Sequence, residues 1–135
     1  MDRTDVRGSL FTLMEAAADS DLALVVPAGP QLTYRDLRML VRQGADILAE
    51  FGMKHGDRVA MALPNSAEAI VLFLAVAAVA TAAPLNAAYK EDEFRFYLED
   101  TRAKALIVPP NGGEAARRAL PAGAILVEAE ISGDG

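Results

Sequence analysis

At 135 residues the chain is the right size for one domain with its own core, and 53% hydrophobic residues exclude intrinsic disorder while leaving more apolar surface than so short a chain hides with ease. Thirteen basic residues against nineteen acidic ones, a net charge of -6, exclude a nucleic-acid partner, whose phosphates demand a positive face. No cysteine and one histidine exclude a disulfide framework and a thiolate nucleophile and leave little to hold a transition metal; the charged opening MDRTDVRGSL has no secretory core, so the expected location is the cytoplasm.

Ser9 to Ala18 reads as a short helix, because Leu10, Leu13, Met14 and Ala17 share one helical face. LALVV (Leu22 to Val26) and QLTY, on either side of the PAGP loop, predict a small hairpin. Thr33 caps the best-patterned helix, in which Leu37, Leu40, Val41, Gly44, Ala45 and Leu48 face one way and Asp36 stands near a capping-box position. Arg35, Arg38, Arg42, Asp46 and Glu50 occupy the other side, a solvated face rather than a ligand site. Gly52 ends this helix.

Asp57 to Leu63 (DRVAMAL) predicts a strand. The uncharged run AIVLFLAVAAVATAAPLN (Ala69 to Asn86) then offers two readings, a membrane span or a piece of the interior. A helix from Ser66 to about Thr81 is only ~24 Å long against a bilayer core of ~30 Å, and Pro84 blocks its extension. It is therefore expected to be buried on most of its circumference between layers, starting at Asn65 and Ser66 with Glu68 in its first turn, its alanines letting neighbours approach closely. Ala82 to Leu85 follows as a strand, Glu91 to Asp100 as a helix with an acidic first turn, Ala105 to Val108 as a strand, Glu114 to Leu120 as a helix and Ala124 to Val127 as a strand. Apolar strands alternating with helices predict an α/β fold, a mainly parallel sheet with helices on both faces and a small N-terminal hairpin.

Chemistry is sparse. His55, bracketed by Gly52 and Gly56, reads as a surface turn rather than a catalytic base, since no partner can be assigned to it. The carboxylates of EDEFRFYLED serve a helix dipole more simply than acid/base catalysis. Neither GxGxxG nor GxxxxGK[ST] occurs. Gly112 and Gly113, between a strand and a helix, are the nearest approach to a phosphate loop, with PNSAE after DRVAMAL a similar case; both suffice as ordinary turns and caps, and Glu114 would repel an anion.

The succession QLTYRDL, then GMKHGDRVAMALPNSAEAIVLFLAVAAVATAAPLNAAYKEDEFRFYLEDTRAKALIVPP, resembles the opening of the adenylate-forming (AMP-dependent synthetase/ligase) superfamily: acyl-CoA synthetases, luciferases and peptide-synthetase adenylation domains. The resemblance runs from about Ser9 to Val127 and is greatest to the acyl-CoA synthetase branch, including oxalyl-CoA-synthetase-like members. It implies a ligase that converts a carboxylic acid, Mg-ATP and coenzyme A into acyl-CoA, AMP and pyrophosphate, with fatty acid metabolism as the setting. The resemblance places the triphosphate machinery, a Ser/Thr/Gly-rich loop ending in lysine and later charged residues, downstream of these positions. No catalytic, cofactor-binding or metal residue is carried over, so the chain alone is expected to bind no ATP, Mg or CoA and to be inactive. Asn65, Pro84 and Asn86 match family positions as turns and caps, while Ala87 and Lys90 depart from it, Lys90 standing where a threonine would cap the next helix.

Residues 1–135 are accordingly expected to form a single incomplete α/β domain, the N-terminal portion of such a ligase. Its expected partners are the remainder of the ligase or a second copy meeting it through uncovered apolar surface, with no membrane span. The rival readings are a non-catalytic α/β module that binds a partner protein, or one chain of a split ligase, and a small nucleotide-binding domain built on the Gly112-Gly113 turn.

Overall fold

The computed structural model describes residues 18–25 and 31–129. The helix expected at Ser9 to Ala18 lies outside them except for its last residue, as do the PAGP loop and the ISGDG tail. Strands β1 (Leu22–Val25) and β2 (Gln31–Thr33) pair antiparallel, giving the expected hairpin. Thr33 then starts α1 (Tyr34–Glu50): its Oγ1 accepts the Asp36 N–H at 3.1 Å while Asp36 Oδ2 accepts the Thr33 N–H at 3.3 Å. That reciprocal pair satisfies two donors that a helix start leaves orphaned. Helix α1 buries Leu37, Val41, Ala45 and Leu48, and the chain reverses at Gly52, whose φ of 87° favours glycine.

Four parallel strands form the main sheet: β3 (Arg58–Met61), β4 (Thr81–Pro84), β5 (Ala105–Val108) and β6 (Ile125–Glu128), in the order β4-β3-β5-β6. The helices between them are α2 (Ala67–Val79), α3 (Glu91–Thr101) and α4 (Glu114–Arg118). Alternate residues of β3 and β5 serve opposite faces, as a pleated strand requires. Val59, Met61, Ala105 and Ile107 pack with Leu48 of α1 and with Ala75 and Val76 of α2. Ala60, Leu106 and Val108 pack on the other face with Phe94 and Leu98 of α3 and Ala116 of α4. Burying one of these large apolar side chains contributes ~1.5–3 kcal/mol.

Element ends differ from the sequence reading by one or two residues. Asp57 lies outside β3 because its side chain closes the preceding turn, accepting the Lys54 N–H at 2.9 Å. Helix α2 stops at Val79 because the Thr81 N–H turns to Asp57 O at 2.8 Å and opens β4. The larger correction concerns α2's surroundings. It is buried against the sheet and α1, but Ile70 and Phe73 are 44% and 41% exposed, so its third side is uncovered.

The contact between α1 and α2 depends on small residues. A Cβ built on Gly44 falls 2.9 Å from Ala75 Cβ, closer than carbon atoms pack. Gly44→Val is therefore expected to lower stability by about 1–3 kcal/mol in urea unfolding. Gly44→Ala should cost less, because alanine recovers about 0.5–1 kcal/mol of helix propensity.

Candidate functional site

Open parallel sheets bind ligands beyond the carboxyl ends of their strands, so the loops after β3, β4 and β5 are the place to look. After β3, Ser66 Oγ accepts the Ala69 N–H at 3.1 Å and donates to Pro64 O at 3.0 Å. Ser66 is thus the N-cap of α2, as its residue type predicts. After β4, Asn86 Oδ1 accepts the Ala88 N–H at 2.9 Å and shapes a local turn. The start of α3 lacks a side-chain cap at Lys90, and Glu93 Oε1 instead accepts the Lys90 N–H at 2.9 Å. Tyr89 from the same loop stacks on Tyr97 of α3, ring centres 5.2 Å apart, and meets Phe94 edge-on at 5.7 Å.

The loop after β5 holds the Gly112-Gly113 pair, and Arg117 closes it. The Arg117 guanidinium donates to Gly112 O at 2.7 Å, Pro109 O at 2.8 Å and Pro110 O at 3.2 Å, and pairs with Glu128 of β6 at 2.7 Å. Gly113 has a φ of 74°, and a Cβ there would sit 2.9 Å from Val108 Cγ1, so the position needs glycine for space and backbone alike. The pair is a turn and cap for a helix of five residues. The Gly112 carbonyl, with those of Pro109 and Pro110, meets the Arg117 charge.

Among the other candidates, Asp57 and Glu91 are likewise engaged with their own chain. His55 is exposed in the turn before β3, at the sheet's amino edge. Beside it Asp57 Oδ2 takes the Lys54 N–H at 2.9 Å and the Lys104 ammonium at 3.1 Å, and Lys104 also reaches Gly52 O at 3.0 Å. The Lys54 N–H, and then Lys104, hold the Asp57 carboxyl below its usual range. In the acidic run Glu91 accepts from Arg118 at 2.8 Å and from Arg95 at 2.6 Å, and Asp92 pairs with Arg95 at 3.4 Å. Arg118 first, then Arg95, lower the Glu91 carboxyl. A general acid needs a raised carboxyl, the opposite shift. On α1, Arg38 pairs with Asp19. Among the described residues no group of His, Cys, Asp and Glu is placed to hold a metal ion, and no helix is long and apolar enough to cross a membrane. Arg117 and Lys104 carried no sequence signal: Lys104 meets Gly52 O and Asp57 only through folding, as Arg58 meets Thr101 O at 3.2 Å, and Arg117 turns back on the carbonyls of its own loop and on Glu128.

The sequence pattern of the AMP-binding enzyme family matches residues 14–132. The chain belongs to that family. It is 48% identical over 110 residues to a probable CoA ligase of Humulus lupulus, covering 79% of this chain and 21% of that protein. To the oxalate–CoA ligase of Arabidopsis thaliana it is 40% identical over 121 residues, covering 88% and 23%. Its structure superposes on a Mycobacterium tuberculosis fatty acyl CoA synthetase with a TM-score of 0.81 and 28% identity, covering 96% of this chain and 27% of that one. The fold is that of the N-terminal domain of acyl-CoA synthetases, and the chain spans roughly a quarter of the length of these relatives.

The Glu91 pairs have a pH signature. A folded-state pKa below the usual 4.5 gives stability that is present above that value and is lost as pH falls through the folded pKa. Glu91→Gln should therefore be less stable than the parent chain at pH 7. The gap should narrow in urea midpoints taken near pH 3, and an equal gap at both would contradict the assignment.

Proposed function

We propose that these residues are the scaffold portion of an acyl-CoA ligase, and that by themselves they bind neither ATP, Mg nor CoA and catalyse nothing. The complete enzyme would join a carboxylic acid to coenzyme A at the expense of ATP, releasing AMP and pyrophosphate. The names of its relatives place fatty acids and oxalate among the acids to test, and the reading takes the cytoplasm as its location.

One observation carries the reading. At the sheet edge where ligands of this fold class sit, Ser66, Asn86 and Arg117 are all hydrogen-bonded to their own backbone. A triphosphate needs several converging N–H groups or cations, and here Arg117 at that edge is closed over carbonyls of its own loop and Glu128. This also weighs against a small nucleotide-binding domain at Gly112-Gly113. The reading of a module that binds a separate chain has its own support in Ile70 and Phe73, exposed on α2 beside Asn65 and Ser66. Both readings make the chain a support for chemistry performed elsewhere.

Exchange of labelled pyrophosphate into ATP, with palmitate, oxalate or malonate offered as the acid, tests the proposal. The purified chain should give no exchange above a protein-free control. Acid-dependent exchange that co-purifies with the chain would overturn it.

A further inference from the structure

We infer that the segment between β5 and β6, Pro109 to Ala124, is a strap over the carboxyl end of β5 that opens apart from the sheet, and that the consecutive Arg117 and Arg118 hold it shut. Its sequence cuts it off from both neighbouring strands. Successive N–H groups along a strand serve opposite neighbours, so residues 109 and 110 would carry the ladders of β5 on toward β3 and β6. Both are proline and have no N–H. Among the described residues, the backbone-to-backbone hydrogen bonds of the segment all stay within it: Gly112 to Pro109 O at 3.4 Å, Arg117 to Gly113 O at 2.8 Å, Ala119 to Ala115 O at 3.2 Å, Leu120 to Arg117 O at 3.3 Å and Ala124 to Pro121 O at 3.1 Å.

What holds the strap down is a few small apolar contacts and two cations. Ala115, Ala116, Ala119 and Leu120 pack with Phe94, Leu98 and Val108, and an alanine buries little apolar area. Helix α4 has five residues and no side-chain cap, too short to persist without its surroundings. The two arginines grip in opposite directions. Arg117 gathers the carbonyls of Pro109, Pro110 and Gly112 and ties them to Glu128 of β6 at 2.7 Å. Arg118 reaches the other way, to Glu91 at the start of α3, at 2.8 Å.

Release strands no charge and leaves the sheet whole. Glu128 is half exposed to water, and Glu91 keeps Arg95 at 2.6 Å when Arg118 departs. Strand β6 has its own bonds to β5, from Ile125 to Lys104 O at 2.9 Å and from Ala129 to Val108 O at 3.1 Å. The prolines at 109 and 110 and the Pro121–Gly123 turn, where Gly123 has a φ of 87°, bound the moving part. Segments with few buried contacts open locally before the core does. Opened, the strap bares Val108, fully buried beneath Gly113 when it is closed, at the edge where ligands of open parallel sheets bind.

Amide hydrogen exchange of the full 135-residue chain, followed by NMR, tests the strap. In the parent chain the Ala119 and Leu120 amides should exchange together, at least ~10-fold faster than the inner-sheet amides of Ala62 and Lys104 and still slower than in an unfolded chain. Arg117→Gln should quicken Ala119 and Leu120 by a further ~10-fold, because hydrogen bonds to a charged group are the strong ones. Ala62 and Lys104 should not respond. Arg118→Gln should act on the same two amides by a smaller factor, since Arg118 is the more exposed of the pair. If Arg117→Gln fails to fold, Arg118→Gln decides: Ala119 and Leu120 quickened alone support the strap, and unchanged rates overturn it. One common rate for strap and sheet in the parent, strap amides already at the unfolded-chain rate, or strap and sheet quickened equally by Arg117→Gln would also overturn the inference. None of these rates bears on pyrophosphate exchange, so the scaffold reading stands or falls separately.

Discussion

Both faces of a parallel sheet have to be covered, because each crossover between parallel strands lays a helix on one side or the other. In this chain the constraint falls on β3 and β5, the inner strands, whose residues from Val59 to Ala62 and from Ala105 to Val108 are all buried. Alternation sends Val59, Met61, Ala105 and Ile107 toward α1 and α2, and Ala60, Leu106 and Val108 toward α3 and α4. Every loop of interest is an exit from one of these buried strands or a neighbour's. Short exits into helices leave little backbone free, so Ser66, Asn86 and Arg117 are drawn into capping and turn closure.

The same constraint explains where the molecule is unfinished. Covering two inner strands takes four helices, and the edges receive less. Helix α2 meets the sheet and α1 through Ala75, Val76 and Val71 but leaves Ile70 and Phe73 bare. Beyond β6, α1 stands over a groove that nothing in the described chain fills. Relatives about four times as long have further chain with which to cover such surfaces. The high apolar fraction of the sequence is therefore a surface property of these residues as well as a core property.

How much of this was legible depends on the distance over which each interaction acts. The capping of α1 by Thr33 and Asp36, the cap at Ser66, the acidic start of α3 and the four apolar strands were readable, because propensity and i, i+3 chemistry settle them within a few residues. The parallel arrangement followed from the strand and helix alternation. Strand order, the exposed side of α2, and the roles of Lys104 and Arg117 were not readable. Lys104 reaches Gly52 across 52 positions, and no local pattern marks a carbonyl as its acceptor. The candidate anion turn at Gly112-Gly113 shows the same limit: glycines before a helix look alike whether their N–H groups face a ligand or a carbonyl such as that of Gly112 faces an arginine.

The central proposal is that Ser66, Asn86 and Arg117, held by backbone contacts at the carboxyl edge of the sheet, leave no seat for a triphosphate. Amide chemical shifts recorded while Mg-ATP is titrated into the labelled chain test this most directly. The account predicts that the signals of Ser66, Ala88, Gly112, Gly113 and Arg117 stay in place up to millimolar nucleotide, where a weak site of about 4 kcal/mol would be half filled. Saturable movement of those signals together would contradict it.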